Sequence, residues 1–365
     1  MASVSINILT KGRVDCLKRL FFELYSEIKE LSDIDNEVNI IDDSNESDKV
    51  VIVEWCENYG FKYNYVKGSI SKKRNAAINL SALEIILFID SDCYLSKNLI
   101  KQHQMLYERD NVEAVLGPVE FTGQKPLFWK VIEQAGFTIP FSFAKFMDYA
   151  MWGPCANISF RKDTLINING FKENYPFDYS GEDVDIGIRL NKHGYKIICN
   201  PSAIVYHDTK TWLNPLIFSK KIFRWGITDY YLMKDHKDML FPEFARFSLV
   251  VFFLLIISLL SSFSLFVLPL FILTMPLFYW LFGFIFKNRI NNNFIFNYLA
   301  FFLKQIFELG FILKTLTTFH FKFAFKKILY GQRQLEYEIT DRICYSLSLL
   351  FSLILCIIII HTLTV

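Results

Sequence analysis

The chain has 365 residues, enough for one large domain or two smaller ones, and 52% of them are hydrophobic. Its 39 basic and 37 acidic residues nearly balance at a net charge of +2 and form no basic stripe, which argues against a nucleic-acid partner. The seven cysteines are scattered, odd in number and without a CxxC pair, which excludes a disulfide framework or a zinc site and favours a reduced compartment.

The N-terminal part of the chain alternates between two kinds of apolar pattern. Short apolar runs predict four strands, at residues 4–9, 38–41, 61–66 and 85–89. Apolar residues at helical spacing lie between them. This alternation predicts a mainly parallel α/β sheet of Rossmann-like type. No GxGxxG motif follows the first strand, so a dinucleotide fold of the usual kind is disfavoured.

The fourth predicted strand ends in Asp90-Ser91-Asp92, two carboxylates separated by one residue. Open α/β sheets bind ligands at this edge of the strands. Two carboxylates about 4 Å apart repel by roughly 4 kcal/mol at an effective dielectric of about 20. Mg²⁺ or Mn²⁺ would relieve this repulsion and use its remaining positions for phosphate oxygens. The spacing therefore predicts a metal-diphosphate site, and the alternative is a solvated turn after a strand.

The second half of this region is less regular. Residues 152–157 open another strand near the same edge, and residues 182–192 have helical spacing. Glu182, Asp183 and Asp185 fall in the first turn of that helix. Acidic side chains there complement the helix dipole, typically by about 0.3 to 1 kcal/mol each, so they serve capping, chemistry or both.

Charge disappears from the chain after Arg246. Residues 247–286 carry no charged side chain, and as a helix they would extend about 60 Å, about twice the thickness of a bilayer core. We therefore predict a helical hairpin with spans at about 247–267 and 269–286. A third span is predicted at about 344–363.

Residues 294–318 are apolar but contain Lys304, Glu308 and Lys314, so we predict an interfacial helix rather than a further span. Basic residues follow the hairpin, and the positive-inside rule then places the N-terminal region in the cytoplasm. The N-terminus shows no signal-peptide pattern. The predicted domains are 1–240, cytoplasmic, and 241–365, in the membrane.

Five motifs stand in a fixed order along the chain: Ile40-Ile41-Asp42-Asp43-Ser44, Lys72-Lys73-Arg74-Asn75, Asp90-Ser91-Asp92, Gly181-Glu182-Asp183-Val184-Asp185 and His207. In order and spacing this set resembles the family 2 glycosyltransferases, which are inverting enzymes of the GT-A fold. The resemblance runs from the first strand to His207. It implies a fold class of α/β type, a GT-A Rossmann-like nucleotide-diphospho-sugar transferase domain followed by an all-α membrane region.

The resemblance also implies roles for the matched residues. Those expected to contact the nucleotide are Thr10, Asp42, Asp43, Arg74 and Asp90. Those expected to hold a divalent cation, Mn²⁺ or Mg²⁺, are Asp92, Asp90 and His207. Asp183 would be the general base that takes the proton from the acceptor hydroxyl, and Glu182 would orient the acceptor or the base. A polar turn at Asp42 and a hydrogen-bonded structural role for His207 remain open as alternatives.

A further segment, Lys221-Ile222-Phe223-Arg224-Trp225, resembles the QxxRW motif of processive polysaccharide synthases, with lysine in place of glutamine. The resemblance implies that Trp225 and Arg224, together with Asn157, contact the acceptor. The alternative is that Arg224 and Trp225 only mark the membrane interface.

These features together predict an integral protein of the cell inner membrane, or an equivalent membrane, that takes part in polysaccharide biosynthesis. It would move a sugar from a nucleoside diphosphate sugar, with a UDP-sugar favoured, to a glycan acceptor carried on a lipid. Its partners would be the donor, the acceptor and membrane lipids. The alternatives are a processive polysaccharide synthase and a catalytically inactive, membrane-anchored binding protein. A nucleotidyltransferase is disfavoured because no glycine-rich phosphate loop accompanies the paired aspartates.

Overall fold

The computed structural model describes residues 1–173, 175, 181–243, 246–260, 264–286, 293–328 and 332–364. The chain divides into two compact units, one of Met1–Gln124 with Thr138–Thr211 and the other of Lys125–Phe137 with Trp212–Val365. The predicted domains, cytoplasmic for 1–240 and membrane-bound for 241–365, concern location, so this division by compactness does not test them.

The first unit contains eleven strands in its described residues: β1 (Val4–Thr10), β2 (Asn36–Asp42), β3 (Lys62–Tyr65), β4 (Ile85–Asp90), β5 (Cys93–Leu95), β6 (Ala114–Leu116), β7 (Val119–Thr122), β8 (Tyr149–Ala150), β9 (Asn157–Arg161), β10 (Ile197–Cys199) and β11 (Val205–Asp208). Eight of them form a sheet in the order β3-β2-β1-β4-β9-β6-β10-β8, and the other three form a smaller sheet in the order β5-β11-β7.

The first eight α-helices of the described residues are α1 (Val14–Glu30), α2 (Glu46–Tyr59), α3 (Ile70–Leu80), α4 (Leu99–Leu106), α5 (Leu127–Gln134), α6 (Phe143–Phe146), α7 (Lys162–Asn167) and α8 (Glu182–Lys192). All except α5 belong to the first unit. The predicted alternation of strands and helices is confirmed from β1 to β4, and α8 has the predicted bounds.

The large sheet is parallel in one half and mixed in the other. Strands β1 to β4 pair in parallel, as predicted, whereas β9 is antiparallel to both β4 and β6. Side chains along β4 alternate between two apolar clusters, with Leu87 in one cluster and Phe88 in the other. Because successive side chains of a strand point to opposite faces, this alternation shows that the sheet is covered on both faces.

The register of the strands brings several carboxyl ends together. Thr10 at the end of β1 lies opposite Asp42 of β2, and Leu9 lies opposite Asp90 of β4. The predicted polar residues of these strands therefore share one edge of the sheet.

The second unit is mainly helical. Besides α5 it contains α9 (Pro215–Asp235), α10 (Phe247–Leu260), α11 (Ser264–Ile285), α12 (Phe294–Thr317) and α13 (Gln332–Thr364), with a short antiparallel pair, β12 (Leu240–Pro242) and β13 (Lys326–Ile328).

Two stretches of these helices are long and apolar enough to cross a membrane, Val267–Ile285 in α11 and Ile339–Ile359 in α13. The apolar stretch of α10, Phe247–Ile257, is shorter. The remainder of the first predicted span, up to residue 267, includes residues 261–263, which lie outside the described part of the chain.

Helices α9 and α12 cross at two glycines. A Cβ atom at Gly226 would lie 1.8 Å from the carbonyl oxygen of Phe307, and one at Gly310 would lie 2.1 Å from that of Phe223. Only glycine allows the two backbones to approach this closely. The interfacial placement predicted for α12 stays a prediction.

Candidate active site

Thr10, Asp42 and Asp43, which are predicted to contact the nucleotide, lie where β1 and β2 end. Asp42 is fully buried and accepts hydrogen bonds from the Ser44 backbone N–H at 3.0 Å, the Ser44 hydroxyl and the Tyr63 hydroxyl at 2.9 Å. Its carboxylate therefore organises the loop after β2. Asp43 is the residue of this pair that faces cations, since its Oδ2 lies 3.5 Å from the Lys11 amine.

Lys73 of α3 adds a buried amine to this edge. Its Nζ lies 3.8 Å from Asp43 Oδ2 and 3.3 Å from the Thr10 carbonyl oxygen, to which it donates. The Thr10 hydroxyl donates to the Gly12 carbonyl oxygen at 2.9 Å. Lys73 belongs to the Lys72-Lys73-Arg74-Asn75 motif, but no role was predicted for it, because a lysine on a helix is usually solvated.

A candidate metal site is formed by Asp92, Cys93 and His207, whose potential ligand atoms all lie within 4.8 Å of one another. The small sheet brings them together, because antiparallel pairing places His207 of β11 directly opposite Cys93 of β5. The Asp92 carboxylate is contributed by the turn between β4 and β5.

The atoms of Asp92 and His207 fit a hard divalent cation. His207 Nδ1 lies 2.9 Å from the Asp208 carbonyl oxygen, which can only accept, so Nδ1 carries the proton in the neutral ring. Its Nε2 lone pair then faces Asp92 Oδ1 at 3.3 Å, and this buried oxygen has no hydrogen-bond partner. A lone pair and an anionic oxygen directed at each other suit a cation between them.

Cys93 is a less suitable ligand than its position suggests. Burial, together with the Asp90 and Asp92 carboxylates, raises the pKa of its thiol well above the usual value, so the thiol stays protonated. Mg²⁺ and Mn²⁺ also prefer oxygen and nitrogen donors. The sequence missed Cys93 because a single cysteine after an acid pair carries no metal-binding signal.

Arg13 is a further residue that the sequence did not indicate. Its guanidinium lies 2.8 Å from Asp92 Oδ2, and its backbone has a left-handed conformation (φ 62°) just before α1 begins. This contact places a positive charge beside the Asp92 carboxylate.

Asp90, the last residue of β4, lies outside the group of three potential ligands found in the described chain. Burial and the Asp92 carboxylate raise the pKa of Asp90, while Arg74 and His207 lower it. Its predicted contacts with the metal and the nucleotide stay predictions.

The acids at the start of α8 meet α3 through an ion pair. Arg74 of α3 pairs with Glu182 of α8, both are only 5% exposed, and the guanidinium lies over the Phe171 ring at 5.4 Å. Burial and the Glu182 carboxylate raise the pKa of Asp183 to about 7, against the opposing effect of Arg74. A carboxylate with this pKa is suited to accept a proton near neutral pH.

These groups form one electrostatically connected array. Arg74 interacts with Glu182, Asp90 and Asp183, and Asp90 in turn interacts with Asp92 and His207. The predicted metal side and the predicted base side of the site are therefore linked through Arg74 and Asp90.

The motifs of this array lie within two matched family models. Residues 85–308 match the model described as Glycosyl transferase family group 2, and residues 5–164 match the model of Glycosyl transferase family 2. The chain belongs to glycosyl transferase family group 2. It is a glycosyltransferase, and its mixed α/β domain followed by helices is the architecture that the resemblance predicted.

Solved structures give a more distant likeness. The mannosyltransferase PcManGT from Pyrobaculum calidifontis, in complex with GDP-Man and Mn²⁺, is 14% identical, with 64% of each chain covered and a TM-score of 0.46. S. aureus TarS 1–349 is 17% identical over 62% of this chain and 65% of that one, with a TM-score of 0.42. GalNAc-T7 with UDP, GalNAc and Mn²⁺ is 12% identical over 65% and 54%, with a TM-score of 0.45.

The glycosyltransferase thus spans less than two thirds of the length of each of these structures. No curated protein matches it in sequence.

The predicted acceptor residues of the glycosyltransferase lie in different surroundings. Asn157 is fully buried, its amide donates to the carbonyl oxygens of Pro118 and Ala203, and its Oδ1 lies 3.0 Å from His103 Nε2. Its amide group is therefore committed to the core, and acceptor contact stays a prediction.

Trp225 and Arg224 belong to the second unit, on α9. The Lys221 amine lies 4.5 Å from the centroid of the Trp212 ring and 5.2 Å from that of Trp225. The lysine that replaces the motif's glutamine thus makes cation–π contacts with both indoles. The acceptor role of Trp225 and Arg224 stays a prediction.

Proposed function

We propose that this glycosyltransferase transfers a sugar, with inversion, from a nucleoside diphosphate sugar to a lipid-linked glycan acceptor at the cytoplasmic face of a membrane. The observation that carries the proposal is the Asp92–His207 pair, whose facing atoms lie 3.3 Å apart after β4, together with the Arg74–Glu182 ion pair that joins α3 to the helix bearing Asp183. A cation site and a carboxylate of raised pKa are suited to transfer from a diphosphate leaving group.

The nucleotide would bind where β1 and β2 end. Asp43 would accept a hydrogen bond from the base or ribose, and Asp42 would hold the loop that presents it. The Lys73 amine and the Thr10 backbone lie beside it. A UDP-sugar remains the favoured donor.

Asp92 and His207 would hold the divalent cation, Mn²⁺ or Mg²⁺, with Asp90 supporting the site. When bound, the cation would stabilise the negative charge that develops on the departing diphosphate. Arg13 would keep the Asp92 carboxylate in place through its 2.8 Å contact.

Asp183 would act as the general base. An inverting transfer needs a carboxylate on the side opposite the leaving group, in position to take the proton of the attacking acceptor hydroxyl. With a pKa of about 7, Asp183 is partly ionised at neutral pH and still basic enough to accept that proton.

Attachment to a membrane is supported by the two apolar stretches of α11 and α13. The exposed side chains of α11 and α13 include Leu273, Phe284, Phe351 and Ile357. Side chains of this kind favour contact with lipid over contact with water. An enzyme held at the membrane would meet an acceptor carried on a lipid.

Substitution of Asp183 by Asn tests the proposal. Asn keeps the shape of the side chain but cannot take a proton, so transfer should be lost while donor binding is retained. A matched control is Asp163→Asn, which changes an exposed acid in the first turn of α7. Transfer of radiolabelled sugar by an Asp183→Asn variant at the rate of the Asp163→Asn control would refute the assignment.

A further inference from the structure

Helix α12 ends in a turn that usually contains glycine. The Phe319 N–H donates to the Leu316 carbonyl oxygen at 3.1 Å, and the His320 N–H donates to that of Thr315, also at 3.1 Å. These two bonds are those of a Schellman motif, whose left-handed residue is usually glycine. Here that residue is Phe319, with a φ of 56° and 78% of its surface exposed. A left-handed backbone is unfavourable for a residue with a Cβ, and burial of the ring does not offset it.

Four more exposed side chains follow shortly after Phe319. Phe321 and Phe325 are 52% and 50% exposed, and the Phe321 ring lies edge-on to the Phe319 ring with centroids 6.1 Å apart. Lys322 and Lys326 are also exposed, and neither forms an ion pair within the part of the chain that the structure describes. We call these five residues the Phe-Lys surface. Exposed apolar groups gathered in this way mark a site of interaction with a partner.

The other residues of this segment hold it in place. The Tyr230 hydroxyl of α9 lies 2.6 Å from His320 Nδ1, and the Tyr230 ring packs against that of Phe323 with centroids 5.7 Å apart. Ala324 is only 1% exposed. The segment thus divides into inward side chains that pack on the protein and outward side chains that do not. The fold itself therefore presents the Phe-Lys surface.

The Phe-Lys surface lies at one end of a predicted membrane span. The Glu243 backbone N–H donates to the Phe325 carbonyl oxygen at 2.8 Å. The Glu243 carboxylate in turn accepts from Arg342 Nε at 3.2 Å. Arg342 lies close to the start of the apolar stretch Ile339–Ile359 of α13. Through Glu243 the surface is therefore held near the boundary of that stretch, where a bilayer has its headgroups.

The partner must suit both exposed rings and positive charge. No aspartate or glutamate occurs from residue 309 to residue 335, so the neighbouring sequence does not neutralise Lys322 and Lys326. The boundary of a bilayer offers acyl chains to the rings and anionic headgroups to the amines. A phosphate free in solution would engage the lysines and leave the rings in water. A lipid surface therefore accounts for both features.

We propose that the Phe-Lys surface enters the headgroup region of the bilayer and binds anionic lipids there. The phenylalanine rings reach the upper part of the acyl chains, while Lys322 and Lys326 contact the anionic headgroups. The inference rests on the membrane attachment of the proposed function. It goes beyond that attachment, because apolar spans hold a protein in a bilayer whatever the charge of its lipids.

A fluorophore attached at position 321 tests both parts of the proposal. The full chain with Cys16→Ser and Phe321→Cys is labelled with an environment-sensitive dye, since Cys16 is the one native cysteine that is not buried. It is reconstituted into vesicles of equal parts phosphatidylcholine and phosphatidylglycerol. One lipid or the other carries a nitroxide quencher near the top of its acyl chain. The matched control is labelled at Val50→Cys, an exposed position of α2.

We expect both lipids to quench the dye at position 321, and phosphatidylglycerol to quench it at least about twofold more strongly. The dye at position 50 should be quenched by neither lipid. Lys322→Gln combined with Lys326→Gln should make the two lipids quench equally while quenching itself persists. Salt at about 1 M should have the same effect without a change of either lysine. Labelling at Phe325→Cys repeats the measurement if the first variant does not fold.

The outcomes separate the inference from the proposed function. Quenching at position 321 that is no stronger than at position 50, in protein that floats with the vesicles, overturns the inference and leaves membrane attachment in place. Equal quenching by the two lipids at low salt overturns the binding of anionic lipids. Disulfide formation between two Phe321→Cys chains without quenching assigns the surface to a second copy and also overturns it. Protein that does not float with the vesicles overturns attachment and inference together.

Discussion

The pH dependence of transfer gives the most direct test of Asp183 as the base. Burial and the Glu182 carboxylate raise its pKa from the usual 3.8 to about 7, whereas Arg74 opposes the rise. Only the ionised carboxylate can accept a proton. The rate should therefore rise with pH through the pKa of Asp183.

The size of the effect follows from the ionised fraction. With a pKa of about 7, roughly a tenth of the Asp183 carboxyls are ionised at about pH 6 and roughly nine tenths at about pH 8. The transfer rate should increase about tenfold over this interval and about tenfold per pH unit below it. An unperturbed aspartate would give a flat profile across the same range.

Glu182→Gln supplies the matched perturbation. It removes a negative charge that raises the pKa of Asp183, so the midpoint of the pH profile should move to lower pH. The assay is the initial rate of sugar transfer at saturating donor and Mn²⁺, measured from pH 5 to 9 in buffers of constant ionic strength. A wild-type rate that is flat from pH 5 to 8, or a midpoint that Glu182→Gln does not move, would refute the reasoning.

Further predictions concern stability, the cation and the membrane. Burial raises the pKa of Glu27 from 4.5 to about 7, so the folded chain binds its proton more tightly than the unfolded chain does. The Glu27 carboxyl therefore lowers the stability of the folded chain as pH rises from 4.5 to about 7. The melting temperature of Glu27→Gln should fall less across that range than that of the wild type. Equal falls would contradict this prediction. Gly310→Ala should destabilise the folded chain by about 1 to 3 kcal/mol, because its Cβ meets a backbone carbonyl. Gly60→Ala is the comparison, because its added Cβ has no atom within 4 Å and only the left-handed φ is unfavourable. It should lower the free energy of unfolding by about 1 kcal/mol. Thermal unfolding of the two variants measures both losses. Chelation by EDTA should stop transfer, and Mn²⁺ should restore it. His207→Ala should need a higher Mn²⁺ concentration for half-maximal transfer than the control His193→Ala, which changes an exposed histidine. Equal Mn²⁺ requirements would argue against His207 as a ligand. Alkaline carbonate should leave the protein in the membrane pellet, and its release into the supernatant would contradict membrane spans at the apolar stretches.

Much of the first unit could be predicted from local pattern. Apolar runs and helical spacing predicted β1 to β4, and the bounds of α8 were predicted to the residue. The acids Asp90, Asp92 and Asp183 stand out because carboxylates directly after an apolar strand or at the start of a helix break the surrounding pattern. The direction of β9 was not predictable, because an apolar strand has the same composition whichever way it runs.

The partners of these acids were much harder to predict. Arg13 and Lys73 resemble ordinary solvated residues in the sequence, yet they lie 2.8 Å from Asp92 and 3.8 Å from Asp43. The hydrogen bonds that the Asn157 amide makes within the core were not predictable either, and its contact with the acceptor stays a prediction. Residue type alone did not distinguish these environments.

The sequence by itself determined the family, the order of strands and helices in the first 90 residues and the acids on which the chemistry would depend, because hydrophobic period and motif order are local properties of the chain. Only the tertiary structure decided that Arg74 pairs with Glu182, 108 residues further on, and that His207 lies opposite Cys93. Contacts of this kind depend on the order in which strands join a sheet and on how helices pack upon it. That order is set by the burial of the whole domain, so no local pattern contains it.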